Sequence, residues 1–236
     1  MNSLLKLNVE GSMISYADDT VIIFNGENWE ETKHKAIREL LIVKNWLETY
    51  KLTLNLTKTH YIAFSLTSVN RPNYLSILID GNEIKEVPHT KYLGVMIDSF
   101  LKWHPHIDYL SNKIRKLIHK FYLIREFLNR STLITIYKAL VESLIRYGII
   151  VWGGLYNNAL YKLNIVQRYI LRVIMGVNRL YPSNKLFSEK TSNVRTLYML
   201  SLCNYLYTHD TLRKYVDHGY DTRARAGRHI QIPVSH

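Results

Sequence analysis

Hydrophobic positions change their spacing once along this chain, and the change divides it in two. Up to about residue 98, short apolar runs alternate with polar ones; from residue 99 onward, apolar residues recur every three or four positions. In the first stretch, Ser12 to Phe24 (SMISYADDTVIIF) sets two apolar runs around Ala17, Asp18 and Asp19, which predicts a β-hairpin with an acidic tip. Asn28 with Glu31 three residues on reads as a capping box. Ala36, Ile37, Leu40, Leu41 and Leu47 continue at helical spacing, so a helix is expected that ends before Thr53. Strands are expected again at Tyr61–Phe64, at Ile77–Ile79 and Ile84–Val87 around the hairpin signal Asp80-Gly81, and at Lys91–Asp98. Gly94, inside the last of these, suggests close approach of another backbone or a ligand.

After Ser99 the pattern predicts helices throughout. Pro105 stands near the start of one that runs through Ile107, Leu110, Ile114, Leu117 and Phe121. Ser131 is expected to cap a second that stops at Gly148, Asn157 or Asn158 to open a third that ends near Gly176, and Val194 to Val216 to form a fourth. The tail from Arg223 is basic and expected to be loose. The fold class is therefore α+β: a mixed block at 1–98, an all-helical block at 99–222 and a tail at 223–236.

Composition narrows the setting. A hydrophobic share of 47% with four Trp and eighteen Tyr excludes a disordered polypeptide. A single cysteine, Cys203, excludes an intramolecular disulfide and fits a reducing compartment. The N-terminal residues lack the basic region and apolar core of a secretory signal, and the apolar run Gly148–Leu155 is too short to span a bilayer. The expectation is an intracellular protein of cytoplasm and nucleus, not secreted and without a membrane partner. Charge adds a direction. Residues 1–98 hold 10 Lys and Arg against 12 Asp and Glu, whereas residues 99–236 hold 21 against 7. A basic half beside a near-neutral one favours a polyanion-binding surface, and an ordinary solubility charge is the plain alternative.

Asp18 and Asp19 carry the candidate chemistry. Adjacent carboxylates on a tight turn repel unless a cation neutralises them. Hard cations such as Mg²⁺ bind through a few carboxylates plus substrate phosphates, which is what nucleotidyl transfer requires. A lone Asp-Asp pair is more often a solvated turn; the two flanking strand-like runs strengthen the signal.

Tyr16-Ala17-Asp18-Asp19-Thr20 resembles the catalytic hairpin of reverse transcriptases, in the form common among non-LTR (LINE-like) retrotransposons. Other stretches follow in the order that family requires. Trp46-Leu47, Leu52, Leu54-Asn55 and Lys58-Thr59 resemble the helix-plus-lysine part of the palm, and Tyr92-Leu93-Gly94-Val95 resembles the primer-grip turn. Trp103, His106-Ile107, Tyr147-Gly148, Trp152-Gly153, Gln167-Arg168 and Arg172 resemble the helical region after the palm, so the likeness reaches about residue 216. The resemblance implies an RNA-directed DNA polymerase that takes an RNA template, a DNA primer and dNTPs with Mg²⁺ or Mn²⁺. Asp18 would be a direct metal ligand and Asp19 a supporting one, with Lys58 approaching the triphosphate. Tyr16 and Ala17 would lie near the primer terminus and nucleotide sugar, while Tyr92, Leu93 and Gly94 would press on the primer backbone.

One departure matters. The family supplies a third metal-binding aspartate from an earlier palm strand, and here no Asp precedes Asp18 and only Glu10 is acidic. Asn2-Ser3-Leu4-Leu5 resembles the helix before the hairpin, so the chain is expected to begin mid-palm, with that aspartate and the fingers upstream of Met1. A truncated copy of this kind is expected to be inactive alone.

Further residues have plain readings. No histidine pairs with Cys or Glu at zinc spacing, so His104 and His106 read as surface or packing groups. Cys203 reads as core, as do Trp46, Trp103 and Trp152. Lys113, Arg115, Lys116 and Lys120 on one predicted helix, with Tyr122 nearby, read as phosphate-backbone contacts rather than a merely solvated face. The rival reading of the whole chain is a non-catalytic nucleic-acid-binding protein derived from a retroelement; an incidental open frame with no cellular role is the third.

Overall fold

Residues 4–65, 76–79, 81–187 and 191–209 are described by the computed structural model of the chain. They form two units, Met1–Pro105 and His106–His236.

The first unit is built around a hairpin, a helix and small sheets. A single 3₁₀ turn at Leu4–Lys6 leads to β1 (Ser12–Tyr16) and β2 (Asp19–Ile23), paired antiparallel with Tyr16 opposite Asp19. Asn2 and Ser3 lie outside the described residues. Helix α1 (Trp29–Thr49) starts where the capping pattern placed it, since Asn28 Oδ1 accepts the Glu31 N–H at 2.9 Å. The reciprocal bond slips back one residue: Glu31 Oε2 accepts from Glu27 N–H at 2.9 Å. The three-stranded sheet runs β3 (His60–Tyr61), β5 (Asn82–Glu86), β4 (Ile77–Ile79), with β3 parallel and β4 antiparallel to β5. Ala36 of α1 packs with Ile77, Ile79 and Ile84 in the buried core, against which Phe24, Leu54 and Tyr61 also lie.

Two strands differ from expectation. The Tyr61–Phe64 strand stops at Tyr61, because the β5 ladder runs out at Glu86 and Pro88, two residues on, has no N–H to continue it. Lys91–Asp98 is not one strand but a hairpin of β6 (His89–Tyr92) and β7 (Val95–Asp98). Leu93 and Gly94 have φ of 45° and 88°, the two positive values of a type I′ turn, so Gly94 answers the turn's own geometry. Asp80, half of the other hairpin signal, lies outside the described residues, although β4 and β5 pair across it.

Asp98 closes this unit. Its carboxylate accepts the N–H groups of Phe100 (3.2 Å), Lys102 (3.0 Å) and Trp103 (2.6 Å), and so holds Leu101 and Trp103 at positive φ.

Beyond it the second unit is helical. Helix α2 is His104–Ile124, and α3 (Arg130–Tyr137) continues through a π-helical turn at Lys138–Glu142 into α4 (Ser143–Arg146). Asn129, not Ser131, caps α3, because its Oδ1 accepts both the Thr132 N–H at 2.9 Å and the Thr132 hydroxyl at 3.1 Å. Gly148 breaks the helix at φ 63°, and a short α5 (Ile149–Trp152), not foreseen in the sequence, follows it. Helix α6 (Asn157–Met175) ends at Gly176 with φ 66°. Helix α7 is Val194–Thr208; the expected continuation to Val216 and the tail from 223 lie outside the described residues.

Apolar stripes of these helices make the core, with Phe121, Tyr137, Trp152, Leu163 and Ile170 essentially inaccessible. Gln167 ties it together by donating from Nε2 to Tyr137 Oη (2.8 Å) and to the Ser192 carbonyl (2.9 Å), while burial holds the Tyr137 phenol well above its ordinary range. Cys203 is exposed, contrary to the core reading. At 100° per residue it lies opposite Val194, which with Leu197 marks the buried side of α7. Trp46 is half-buried against Tyr50, ring centroids 4.5 Å apart.

His106 is 1% exposed and edge-on to Trp152 at 5.2 Å, and burial lowers its pKa to about 4. The unfolded chain takes up the proton first as pH falls, so stability is full above about 6.5 and declines toward pH 4. The loss is of order 3 kcal/mol across that window. Denaturant titrations followed by tryptophan fluorescence at several pH values should show this slope, and His106→Leu should flatten it. An equal slope in the variant would assign the dependence to other groups.

Candidate functional site

The hairpin that carries Asp18 and Asp19 has a two-residue turn, Ala17-Asp18, with Asp19 as the first residue of β2. Ala17 has φ 51°, the positive value that both primed turn types need at their first central position. A side-chain-bearing residue there costs roughly 1–2 kcal/mol, strain that the paired strands must hold in place. Ala17, Asp18 and Asp19 are exposed, and Tyr16 is 67% exposed. Since Tyr16 pairs with Asp19, the two share the hairpin face that also carries Ile14, which is 50% exposed. On the other face the Thr20 hydroxyl donates to Ser15 Oγ at 3.1 Å.

The hairpin is fixed to its unit from behind. Gly11, buried one residue before β1, donates its N–H to Glu39 Oε2 at 3.1 Å. A Cβ on Gly11 would lie 2.7 Å and 2.8 Å from the Phe24 ring and 2.9 Å from Ile22 Cγ2, so the contact leaves no room for a side chain. Glu39 is 2% exposed on α1, with Arg38 3.8 Å from its other oxygen. Glu10 beside it bonds Lys35 at 3.0 Å and Arg38 at 2.7 Å, and the Lys35 bond chiefly holds its carboxyl below the usual range. The acidic residue that precedes Asp18 is thus engaged by two cations of α1. Gly11 and Glu39 drew no attention in the sequence; the nearest signal was a glutamate on the apolar side of α1.

Lys58 is exposed on a turn organised by Asn55. Asn55 Oδ1 accepts the Lys58 N–H at 3.2 Å and the Thr57 hydroxyl at 2.7 Å, and its carbonyl accepts the Thr59 N–H at 2.9 Å. His60 joins this turn to β6: Nδ1 meets the Lys58 carbonyl at 2.9 Å and Nε2 meets Thr90 Oγ1 at 2.5 Å. The structure therefore couples the Lys58 turn to the Leu93-Gly94 hairpin. Tyr92 is half-buried, with its hydroxyl enclosed and unbonded. Asp18 and Asp19 stand on a separate two-stranded sheet, not hydrogen-bonded to β3 as a continuous sheet would have it. Among the described residues, no group of three His, Cys, Asp or Glu could hold a metal ion, so the pair at the tip has no third donor beside it.

The four cations of α2 are all exposed but do not share one face. Lys113, Lys116 and Lys120 follow one another at three- and four-residue steps, with Lys113 4.9 Å from the Tyr109 ring centroid. Arg115 sits round the helix and donates to Asn112 Oδ1 at 3.1 Å. Among the described residues, no helix is long and apolar enough to cross a membrane.

Comparison with known proteins bears on this geometry directly. Residues 1–97 match the reverse transcriptase (RNA-dependent DNA polymerase) family. The probable RNA-directed DNA polymerase from transposon X-element of Drosophila melanogaster is 23% identical over 176 residues, 73% of this chain and 19% of the relative. The RNA-directed DNA polymerase from mobile element jockey of the same species is 26% identical over 165 residues, 69% and 18% of the two chains. A retrovirus-related Pol polyprotein from type-1 retrotransposable element R1 of Bradysia coprophila is 26% identical over 187 residues, 76% and 18%. These findings support a reverse transcriptase of a LINE-like element. The chain spans less than a fifth of the length of these curated relatives. No solved structure matches it.

Gly11→Ala should therefore lower stability by about 1–3 kcal/mol, the usual cost of overpacking. Hydrogen exchange should accelerate first at the β1 and β2 amides. Unchanged exchange there would show that the hairpin does not hang on this contact.

Proposed function

We infer that the chain is part of an RNA-directed DNA polymerase from a non-LTR retrotransposon. Residues 1–98 serve as a partial palm, 99–222 as a basic thumb-like region and 223–236 as a basic tail. One observation carries the reading: an exposed Asp18-Asp19 pair on a strained, tight hairpin, within the segment that matches the reverse transcriptase family.

The chemistry follows from the donors present. Two hard carboxylate oxygens suit Mg²⁺ or Mn²⁺, which complete their coordination with water and substrate phosphates. Asp18 and Asp19 would hold such an ion, which would supply positive charge to the primer 3′-hydroxyl and to the leaving pyrophosphate. Asp18, in the turn itself, is the direct ligand and Asp19 the supporting one. Tyr16, on the same face as Asp19, offers its ring to the primer terminus or nucleotide sugar, and Ala17 leaves the approach open. Lys58 supplies a cation to the triphosphate from its Asn55-held turn. Leu93 and Gly94 present a tight backbone turn to the primer strand, with Tyr92 as its half-buried anchor. RNA template, DNA primer and dNTPs are the partners of the intact activity.

Among the described residues no third donor stands beside the two carboxylates, and two alone hold and orient a metal poorly. The 236-residue chain by itself is accordingly inactive as a polymerase. Primer extension on a homopolymer template with labelled dNTP, in Mg²⁺ and then Mn²⁺, should give no incorporation. Incorporation that disappears in Asp18→Ala would overturn the inactivity and establish the role of Asp18.

The charge split favours a second activity, nucleic-acid binding without catalysis, carried by the helical region. Phosphate contacts release counterions, so log K should fall linearly with log salt, by about 0.7–0.9 per contact. Replacing Lys113, Lys116 and Lys120 by Gln should flatten that slope and weaken all sequences alike, as read by fluorescence anisotropy. A salt-independent affinity in the parent would reduce the basic face to a solvated surface.

A further inference from the structure

A groove of about 410 Å³ runs between α2 and α6 in the second unit. Arg115, His119 and Tyr122 line it from α2, and Ile165 and Tyr169 from α6. Each set recurs at about four-residue steps, so two helical stripes face one another across it. The rims are aromatic and half-open: Tyr122 is 39% and Tyr169 45% exposed. The neighbouring Tyr122 hydroxyl raises the Tyr169 phenol above its ordinary value, and both rings line the same groove. The Arg125 guanidinium lies 4.8 Å from the Tyr122 ring centroid.

Charge decides among possible occupants. The groove's lining contains arginine and histidine and no carboxylate. The two acidic side chains on and just beyond α2 are already engaged, Asp108 with Lys162 at 2.7 Å and Glu126 with Arg125 at 3.0 Å. Lys116 and Lys120, exposed on α2, add further cations along the same helix. Planar rings beside Arg115 and His119, in a lining without a carboxylate, match a planar base carried on an anionic backbone. The volume falls in the range of about 300–1,000 Å³ seen for small-ligand sites.

We propose that this groove binds one unpaired nucleobase of a single-stranded nucleic acid. The base stacks on the exposed tyrosine rings of the groove, Tyr169 foremost, and Arg115 meets the adjoining phosphate. The proposal deepens the nucleic-acid reading above and rests on it. It also separates two roles on α2: Lys113, Lys116 and Lys120 attract the backbone, while the Arg115 side holds a base.

The test uses the full chain and two labelled single strands of equal length, one with bases throughout and one with abasic sites. Anisotropy is read at fixed salt, with thermal melting as a check on folding. Tyr169→Ala should weaken the strand that has bases roughly ten-fold or more and leave the abasic strand almost unchanged, because stacking is what it removes. Tyr169→Phe, which keeps the ring, should bind as the parent does. Replacing Lys113, Lys116 and Lys120 by Gln should weaken both strands alike. Equal losses on both strands in Tyr169→Ala, or no loss on either, would overturn the stacking site while leaving the phosphate-binding reading intact. No binding by the parent at low salt would overturn both. Displacement of the base-containing strand by an acidic aromatic peptide, with Tyr169→Ala weakening the peptide and not the strand, would make the groove a protein site instead.

Discussion

A buried carboxylate accepting one backbone amide holds the candidate site in place. Glu39 sits on the inner side of α1 and takes the Gly11 N–H just before β1 begins, and Gly11 lies against the Phe24 ring just after β2 ends. Both ends of the hairpin are thereby gripped near α1, through a polar bond at one end and apolar packing at the other. Phe24 in turn lies on the Ala36–Ile77–Ile79–Ile84 core. An isolated two-stranded hairpin is marginal in water, so the presentation of Asp18 and Asp19 depends on this attachment. Leaving the Gly11 amide without its acceptor would forfeit the bond and leave a buried donor unpaired.

That arrangement separates support from chemistry. The tip is exposed and strained, with Ala17 at positive φ, while Glu10 near the base of the hairpin is paired with Lys35 and Arg38. Glu10, the one acidic residue before Asp18, is neutralised by Lys35 and Arg38 and is not a spare metal donor. A surface that exposes two adjacent carboxylates beside an open Ile14–Tyr16 face fits a half-site that is completed by other groups.

Much of this was legible in the residues, and the failures have physical causes. The Asn28 cap, α1, the acidic hairpin and the glycine stops at 148 and 176 follow from side-chain chemistry that acts within a few positions. Misread features depend on tertiary context or on unusual turn residues. Leu93-Gly94 makes a type I′ turn without the Asn-Gly or Asp-Gly signature, so two strands read as one. The Tyr61 strand ended early because a proline in its partner segment removed a donor. Cys203 was assigned to the core from an apolar run whose buried side is fixed by what α7 packs against. At the site, the motif residues were visible and their supports were not. Gly11, Glu39, His60 and Asp98 act through hydrogen bonds to distant residues or to turn backbone, which leave no periodicity to detect.

Asp18 and Asp19 are proposed as one half of a divalent-metal site. Titration of the isotopically labelled chain with Mn²⁺, followed by paramagnetic line broadening, tests it most directly. The account predicts weak, saturable broadening centred on residues 16–20, abolished by Asp18→Asn and reduced by Asp19→Asn. Broadening centred elsewhere, or undiminished in Asp18→Asn, would contradict it.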